Sequence, residues 1–261
     1  MDSGVAEPVS IDGGWDSAAT LIDGRWIERR PRRAEVADRL RMETELMPWL
    51  APQLPLDVPE PHVVASEPLV VRHALVVGEP ISEPTAEHGR QLGAFLRALH
   101  TVDPAEAVRR GLQGPEEAAR ELAEIVERFR ADVLPLVPVE HRGAARALLD
   151  TFGEFPTDTV VHGDLGPEHV LCQGTGLSGV IDFSDAHVGD GAIDLAWTLH
   201  GTPPEFATAL AEEYGVTRQL HDRALLWHRL GPWYEVVHGL DNELPDDVRS
   251  GLDGVVRRLR D

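Results

Sequence analysis

The run His162-Gly163-Asp164-Leu165-Gly166-Pro167-Glu168-His169, followed by Gly179-Val180-Ile181-Asp182-Phe183, gathers carboxylates and imidazoles into one short stretch of chain. His169 lies five residues after Asp164, and Asp182 lies eighteen after it. Phosphoryl transfer uses spacing of this kind. One carboxylate must meet the attacking hydroxyl, while further ligands on a neighbouring loop and strand hold the metal that neutralises the phosphates. The plain alternatives are a turn-forming aspartate after a strand for Asp164 and a strand-end cap for Asp182. An imidazole is a less natural magnesium ligand than an amide or carboxylate oxygen, so His169 is either a metal or phosphate contact or a structural loop residue.

Charge narrows the partners. Twenty-four basic residues face 45 acidic ones, and the net charge of −21 repels nucleic-acid backbones and anionic lipid while drawing cationic small molecules. All 24 basic residues are arginine, so any task that falls to a lysine elsewhere must here be done by arginine or go undone. The single cysteine, Cys172, excludes an intrachain disulfide and a cysteine-rich zinc site. With no long apolar run and no basic-then-apolar start, a reduced, cytoplasmic protein with neither membrane nor nucleic-acid partner is expected.

Elements must position these residues. Asp23-Gly24 predicts a hairpin within 21–27, and 69–77 is rich in valine. Val36, Leu40, Leu46, Met47 and Leu50 predict a helix over 34–50, with Pro48 near its end. The proline-dense stretch 52–61 reads as an extended connector. Helical patterns follow over 85–100, stopped by Asp103-Pro104, and over 115–133. Val160-Val161 and Val170-Leu171 flank the polar loop, Val180-Ile181 predicts the start of another strand, and 204–214, 220–240 and 245–259 are helical. The order β-rich, hinge, helix-rich implies two lobes.

Three ordered blocks carry a resemblance: Val160 to Leu165, Gly179 to Phe183, and Gly189-Asp190-Gly191-Ala192-Ile193-Asp194-Leu195-Ala196. They resemble the aminoglycoside and macrolide phosphotransferase family, small-molecule kinases with a protein-kinase-like fold, although Gly191 stands where that family usually has proline. The resemblance covers nearly the whole chain. It implies an α+β, bilobal, protein-kinase-like fold, with a small β-rich nucleotide-binding lobe and hinge over 1–78 and a larger helical lobe over 79–261. In that frame Asp164 is the catalytic base or hydroxyl orienter, Asp182 is the chief metal ligand, and His169 stands where many relatives have asparagine.

Other positions follow by the same likeness. Gly13-Gly14-Trp15-Asp16-Ser17 is similar to the entry of the nucleotide-covering loop, which puts Ser17 near phosphates. Arg29 aligns with the basic residue that clamps the phosphates, and Glu43 with its carboxylate partner. Residues 72–75 resemble the hinge, where main-chain groups around His73 and Leu75 would hold the base. Arg30, Arg32 and Arg33 form a solvated run, and Glu45 a surface partner of Arg41. Asp190 and Asp194 either approach the acceptor or serve as cap and loop brace. Trp227, Trp233 and Tyr234 pack in the core or wall the acceptor pocket. His100, His141, His221, His228 and His238 form no metal spacing.

The resemblance thus implies transfer of the γ-phosphoryl group of ATP or GTP, with Mg²⁺, to a hydroxyl of a small molecule, most simply a cationic antibiotic whose modification confers resistance. A metabolic kinase for choline, a sugar or an amino-acid derivative shares this chemistry. An inactive nucleotide-binding regulator is the alternative from another class.

Overall fold

The computed structural model of the chain describes residues 9–11, 17–153 and 155–260. Gly13, Gly14, Trp15 and Asp16 lie outside the described residues. The N-terminal part is an antiparallel sheet of β1 (Val9–Ile11), β2 (Ser17–Ile22), β3 (Trp26–Pro31), β4 (His62–Ser66) and β5 (Leu69–Ala74), in the order β1-β2-β3-β5-β4. Asp23 and Gly24 both take positive φ, 54° and 64°, the twist of a type I′ turn, which Arg25 N–H closes on the Ile22 carbonyl at 3.1 Å.

Helix α1 (Ala34–Leu50) packs on this sheet, where Val36 and Leu40 meet Leu69 and Val71 in a small core. Its other end joins the main core through Leu46, Met47 and Leu50. Pro48 sits in the last turn, where its missing N–H costs at most one helical bond. The connector after α1 is stitched to the rest of the chain: Asp57 N–H donates to the Ser178 carbonyl at 3.3 Å, and the Asp57 carbonyl accepts from Val180 N–H at 2.9 Å.

Four short strands frame the chemistry. They are β7 (Thr159–Val161), β8 (Val170–Gln173), β9 (Gly176–Val180) and β10 (His187–Gly189). β7 pairs with β10, while β8 pairs with β9 and with β6 (Glu79–Pro80). One expectation is corrected here. Val180 ends a strand instead of starting one, because Asp182 takes a left-handed φ of 66° that turns the chain out of the ladder.

The remainder is helical: α2 (Ala86–His100), α3 (Pro104–Arg109), α4 (Pro115–Arg128), α5 (Arg142–Leu149), α6 (Leu195–His200), α7 (Pro204–Tyr214), α8 (Arg218–Asp241) and α9 (Pro245–Arg258). Asp103-Pro104 ends α2 and also begins α3, since the Asp103 carboxylate caps Ala105 N–H at 2.9 Å and proline suits a first helical position. The helix expected over 115–133 is α-helical to Arg128 and then widens into a π turn at Phe129–Val133. Leu92, Phe95, Leu96 and Leu99, one face of α2, are fully buried in the main core. No helix among the described residues is long and apolar enough to cross a membrane.

Candidate active site

β7 delivers the chain into His162-Gly163-Asp164. Gly163 has a φ of +87°, and a Cβ there would stand 2.3 Å from the Asp185 carbonyl, so only glycine lets the two segments touch. The loop is tied down from beneath. The buried Asp194 carboxylate accepts N–H bonds from His162 at 2.8 Å and Gly163 at 2.9 Å. Asp164 N–H donates to His162 Nδ1 at 3.3 Å, which leaves the ring's Nε2–H to donate to the Ile181 carbonyl at 2.9 Å. Backbone bonds thus fix Asp164, while its side chain stands 61% exposed in the cleft.

The following turn carries His169. Its ring contacts the Asp164 carbonyl at 2.7 Å through Nδ1. A carbonyl can only accept, so Nδ1 holds the proton and the Nε2 lone pair faces Asp182, with Oδ2 at 3.9 Å. Asp182 Oδ1 accepts from the Ser184 backbone N–H at 3.4 Å and from the Ser184 hydroxyl. No group of three or more His, Cys, Asp or Glu able to hold a metal occurs among the described residues. A two-ligand protein site still fits Mg²⁺, which completes its shell with water and phosphate oxygens.

Arg29 stands on the sheet side of the cleft. It projects from β3, and its Nη1 donates to both oxygens of Glu43 at 3.1 and 2.8 Å, while Nε donates to Ser17 Oγ at 3.1 Å. Its Nη2 reaches to 3.9 Å from Asp182 Oδ1. Strand alternation puts Glu28 and Arg30 on the other face, where Glu28 accepts from Arg30 at 2.7 Å and from Arg72 Nε at 3.1 Å. Arg30 is therefore paired and not simply solvated. Arg41 pairs with Asp38 at 3.1 Å instead of Glu45.

The electrostatics separate the carboxylates. Partial burial of its carboxyl in the loop pushes Asp164 above its ordinary pKa, with His169 and His162 opposing. Burial also acts on Asp182, but the Arg29 guanidinium, the Ser184 bond and His169 together hold it below the ordinary range. One carboxylate is poised towards taking a proton, and the other stays an anion. Glu43, 2% exposed, is pushed up to about 7 by burial, against the pull of Arg29.

Two expected placements are corrected. Asp190 and Asp194 are both turned into the protein, the cap-and-brace alternative. Asp190 is 4% exposed and accepts from Arg223 Nε at 3.0 Å and Trp227 Nε1 at 3.1 Å, and Asp194 is fully buried beneath the loop. At the hinge, Leu75 N–H already donates to the Arg25 carbonyl at 2.8 Å, so that donor is spent within the sheet. His73 is buried opposite Ile27, and its Nδ1–H donates to the Ala74 carbonyl at 2.8 Å. Trp233 is fully buried, whereas Tyr234 is 43% exposed, and burial together with Asp185 and Asp164 pushes its hydroxyl up. Sequence reasoning missed the tasks of His162, Ser184 and His100. The first two adjoin Asp164 and Asp182 in the chain, which was the available signal; His100 gave none.

This arrangement has relatives. Residues 8–233 match the model of the phosphotransferase enzyme family. The chain belongs to that family. Among curated proteins it is 26% identical over 219 residues to the uncharacterized protein YcbJ of Bacillus subtilis, covering 72% of this chain and 67% of YcbJ. It is 36% identical over 113 residues to viomycin phosphotransferase of Streptomyces vinaceus, covering 41% of this chain and 39% of that protein. A solved GDP and kanamycin complex of an APH(2") enzyme superposes with a TM-score of 0.85 at 22% identity, over 98% of this chain and 94% of that one. The chain thus has the bilobal, kinase-like phosphotransferase fold.

Proposed function

We propose that this family member moves the γ-phosphoryl group of ATP or GTP to a hydroxyl of a small-molecule antibiotic. The observation that carries the reading is the convergence of Asp164, His169, Asp182 and the Arg29–Glu43 pair on one cleft. Asp164 orients the acceptor hydroxyl and takes its proton as the oxygen attacks the γ-phosphorus, and the bond to the β-phosphate bridging oxygen breaks to leave a nucleoside diphosphate. Arg29, anchored by Glu43 and Ser17, grips phosphate oxygens with its remaining donors. Asp182 and His169 Nε2 would hold Mg²⁺, which neutralises phosphate charge when bound. Main-chain groups just beyond Leu75 cradle the base.

The acceptor side supports a cationic molecule. Asp164 and Asp185 are both well exposed, and the net charge of −21 attracts a cation from solution. Names among the relatives, a viomycin phosphotransferase and a kanamycin complex, point to the same class. The test is incubation with Mg²⁺ and γ-labelled ATP or GTP against a panel of peptide, aminoglycoside and macrolide antibiotics. Label transferred to one of them, with loss of its potency, is the expected result. Transfer only to choline, a sugar or an amino-acid derivative would replace this reading with the metabolic one.

A further inference from the structure

His200 ends α6, and its ring meets those of His221 and His228, which lie two turns apart on one face of α8. The ring centroids are 4.7 Å apart for His200 and His221, and 5.7 Å apart for His200 and His228. His200 Nε2 lies 3.4 Å from the His221 carbonyl. A carbonyl can only accept, so Nε2 carries the proton. The three imidazoles meet without forming a metal-ligand set, since no such group of three occurs among the described residues.

Cations surround the rings. Arg229 adjoins His228 on α8, and its Nε is buried with no hydrogen-bond acceptor among the described residues. Pro232 has no N–H to offer the His228 carbonyl, and Arg258 of α9 donates to that oxygen instead, from Nη1 at 2.6 Å. Gly231 leaves it room, because a Cβ there would lie 3.0 Å from Nη1. The rings register these charges. Burial first, then Arg258, His200, Arg229 and Arg257, pushes His228 down to about 4. Burial first, with His221 and Arg229, holds His200 below its ordinary value against the pull of the His221 carbonyl. Asp222 stands at the rim, 3.8 Å from His221 Nδ1 and equally 3.8 Å from Arg218 Nε.

A buried guanidinium N–H calls for an acceptor, and the groups packed around this one are imidazoles and further arginines. A metal cation would enter against those guanidinium charges. An anion would accept from Arg229 and the ring N–H groups and be held by the same field. We propose that His200, His221, His228 and Arg229 form a binding site for a small tetrahedral oxyanion of the phosphate type, apart from the residues assigned to phosphoryl transfer.

The test needs no turnover and does not depend on the kinase reading. The full chain is titrated with sulfate and with inorganic phosphate, against chloride at equal ionic strength, while histidine ring signals are followed by NMR and assigned through His200→Asn, His221→Asn and His228→Asn. The three ring signals move saturably with sulfate and phosphate and stay put with chloride. Arg229→Gln weakens binding roughly 10- to 100-fold, as loss of one charged hydrogen-bonding partner does, and Arg229→Lys keeps part of the affinity. An anion favours the charged imidazole, so sulfate, whose own charge is fixed in this range, raises the His228 pKa from about 4 and binds more tightly at pH 5 than at pH 8. Shifts that grow linearly with every salt alike, or unchanged affinity in Arg229→Gln, would make the cluster a solvated patch and overturn the proposal. Saturation by Zn²⁺ with no response to sulfate would overturn it in favour of a metal site. If Arg229→Gln does not fold, His221→Asn, at a side chain 50% exposed, is judged on the same sulfate titration.

Discussion

Replacing Glu43 by glutamine should make the protein more stable and less active. Glu43 is 2% exposed and accepts two bonds from Arg29 Nη1, yet burial outweighs that attraction and pushes its pKa to about 7 from an ordinary 4.5. Above pH 7 the folded chain must hold a charge that the unfolded chain holds freely. The gap amounts to about 3 kcal/mol at roughly 1.4 kcal/mol per pH unit. The sign follows from which state binds the proton: between about pH 4.5 and 7 the folded state binds more, so stability falls as pH rises through that window. Glutamine keeps the shape and removes the charge. In thermal unfolding at pH 8, Glu43→Gln should raise Tm by about 6 °C or more, at roughly 2 °C per kcal/mol for a chain near this size, and the difference should shrink towards pH 5. Activity should move the other way, with kcat/KM for nucleotide falling roughly 10-fold or more as Arg29 loses its two-point anchor. A variant less stable than wild type at pH 8 would show that the Arg29–Glu43 pair repays its own burial and would refute the reasoning.

Other outcomes test the remaining assignments. Asp164→Asn should lower kcat by about 10² to 10⁴ while nucleotide affinity, measured by calorimetry, stays close to wild type; a retained kcat removes Asp164 from the proton transfer. Asp182→Ala should weaken Mg²⁺-dependent nucleotide binding itself, and His169→Asn should shift the metal preference in turnover assays from Mn²⁺ towards Mg²⁺ if Nε2 is a ligand. Arg223→Ala leaves the Asp190 carboxylate buried and short of its cation, and should cost about 3 kcal/mol in denaturant unfolding without altering acceptor KM; a raised acceptor KM at unchanged stability would return Asp190 to the acceptor pocket.

What the sequence determined is local. Asp164, His169 and Asp182 lie within one strand-loop-strand unit, so a fixed spacing and two strand signals suffice to bring them together. Arg29 and Glu43 lie on a strand and the next helix, close enough in sequence for the same kind of argument. Periodicity likewise found α1, α2 and the C-terminal helices, because burial of one face imposes it. It missed α3, α5 and α6, which have eight residues or fewer and too few turns to display a period.

Only the tertiary structure decided which way a carboxylate points. Asp190 and Asp194 sit in a block whose pattern is equally at home beside a substrate or beneath a loop. Partners 33 and 94 residues distant, Arg223 and His100, draw both carboxylates inward. A buried charge is stable only where packing delivers its hydrogen-bond donors, and that delivery depends on how α2, α7 and α8 meet, which no local spacing encodes.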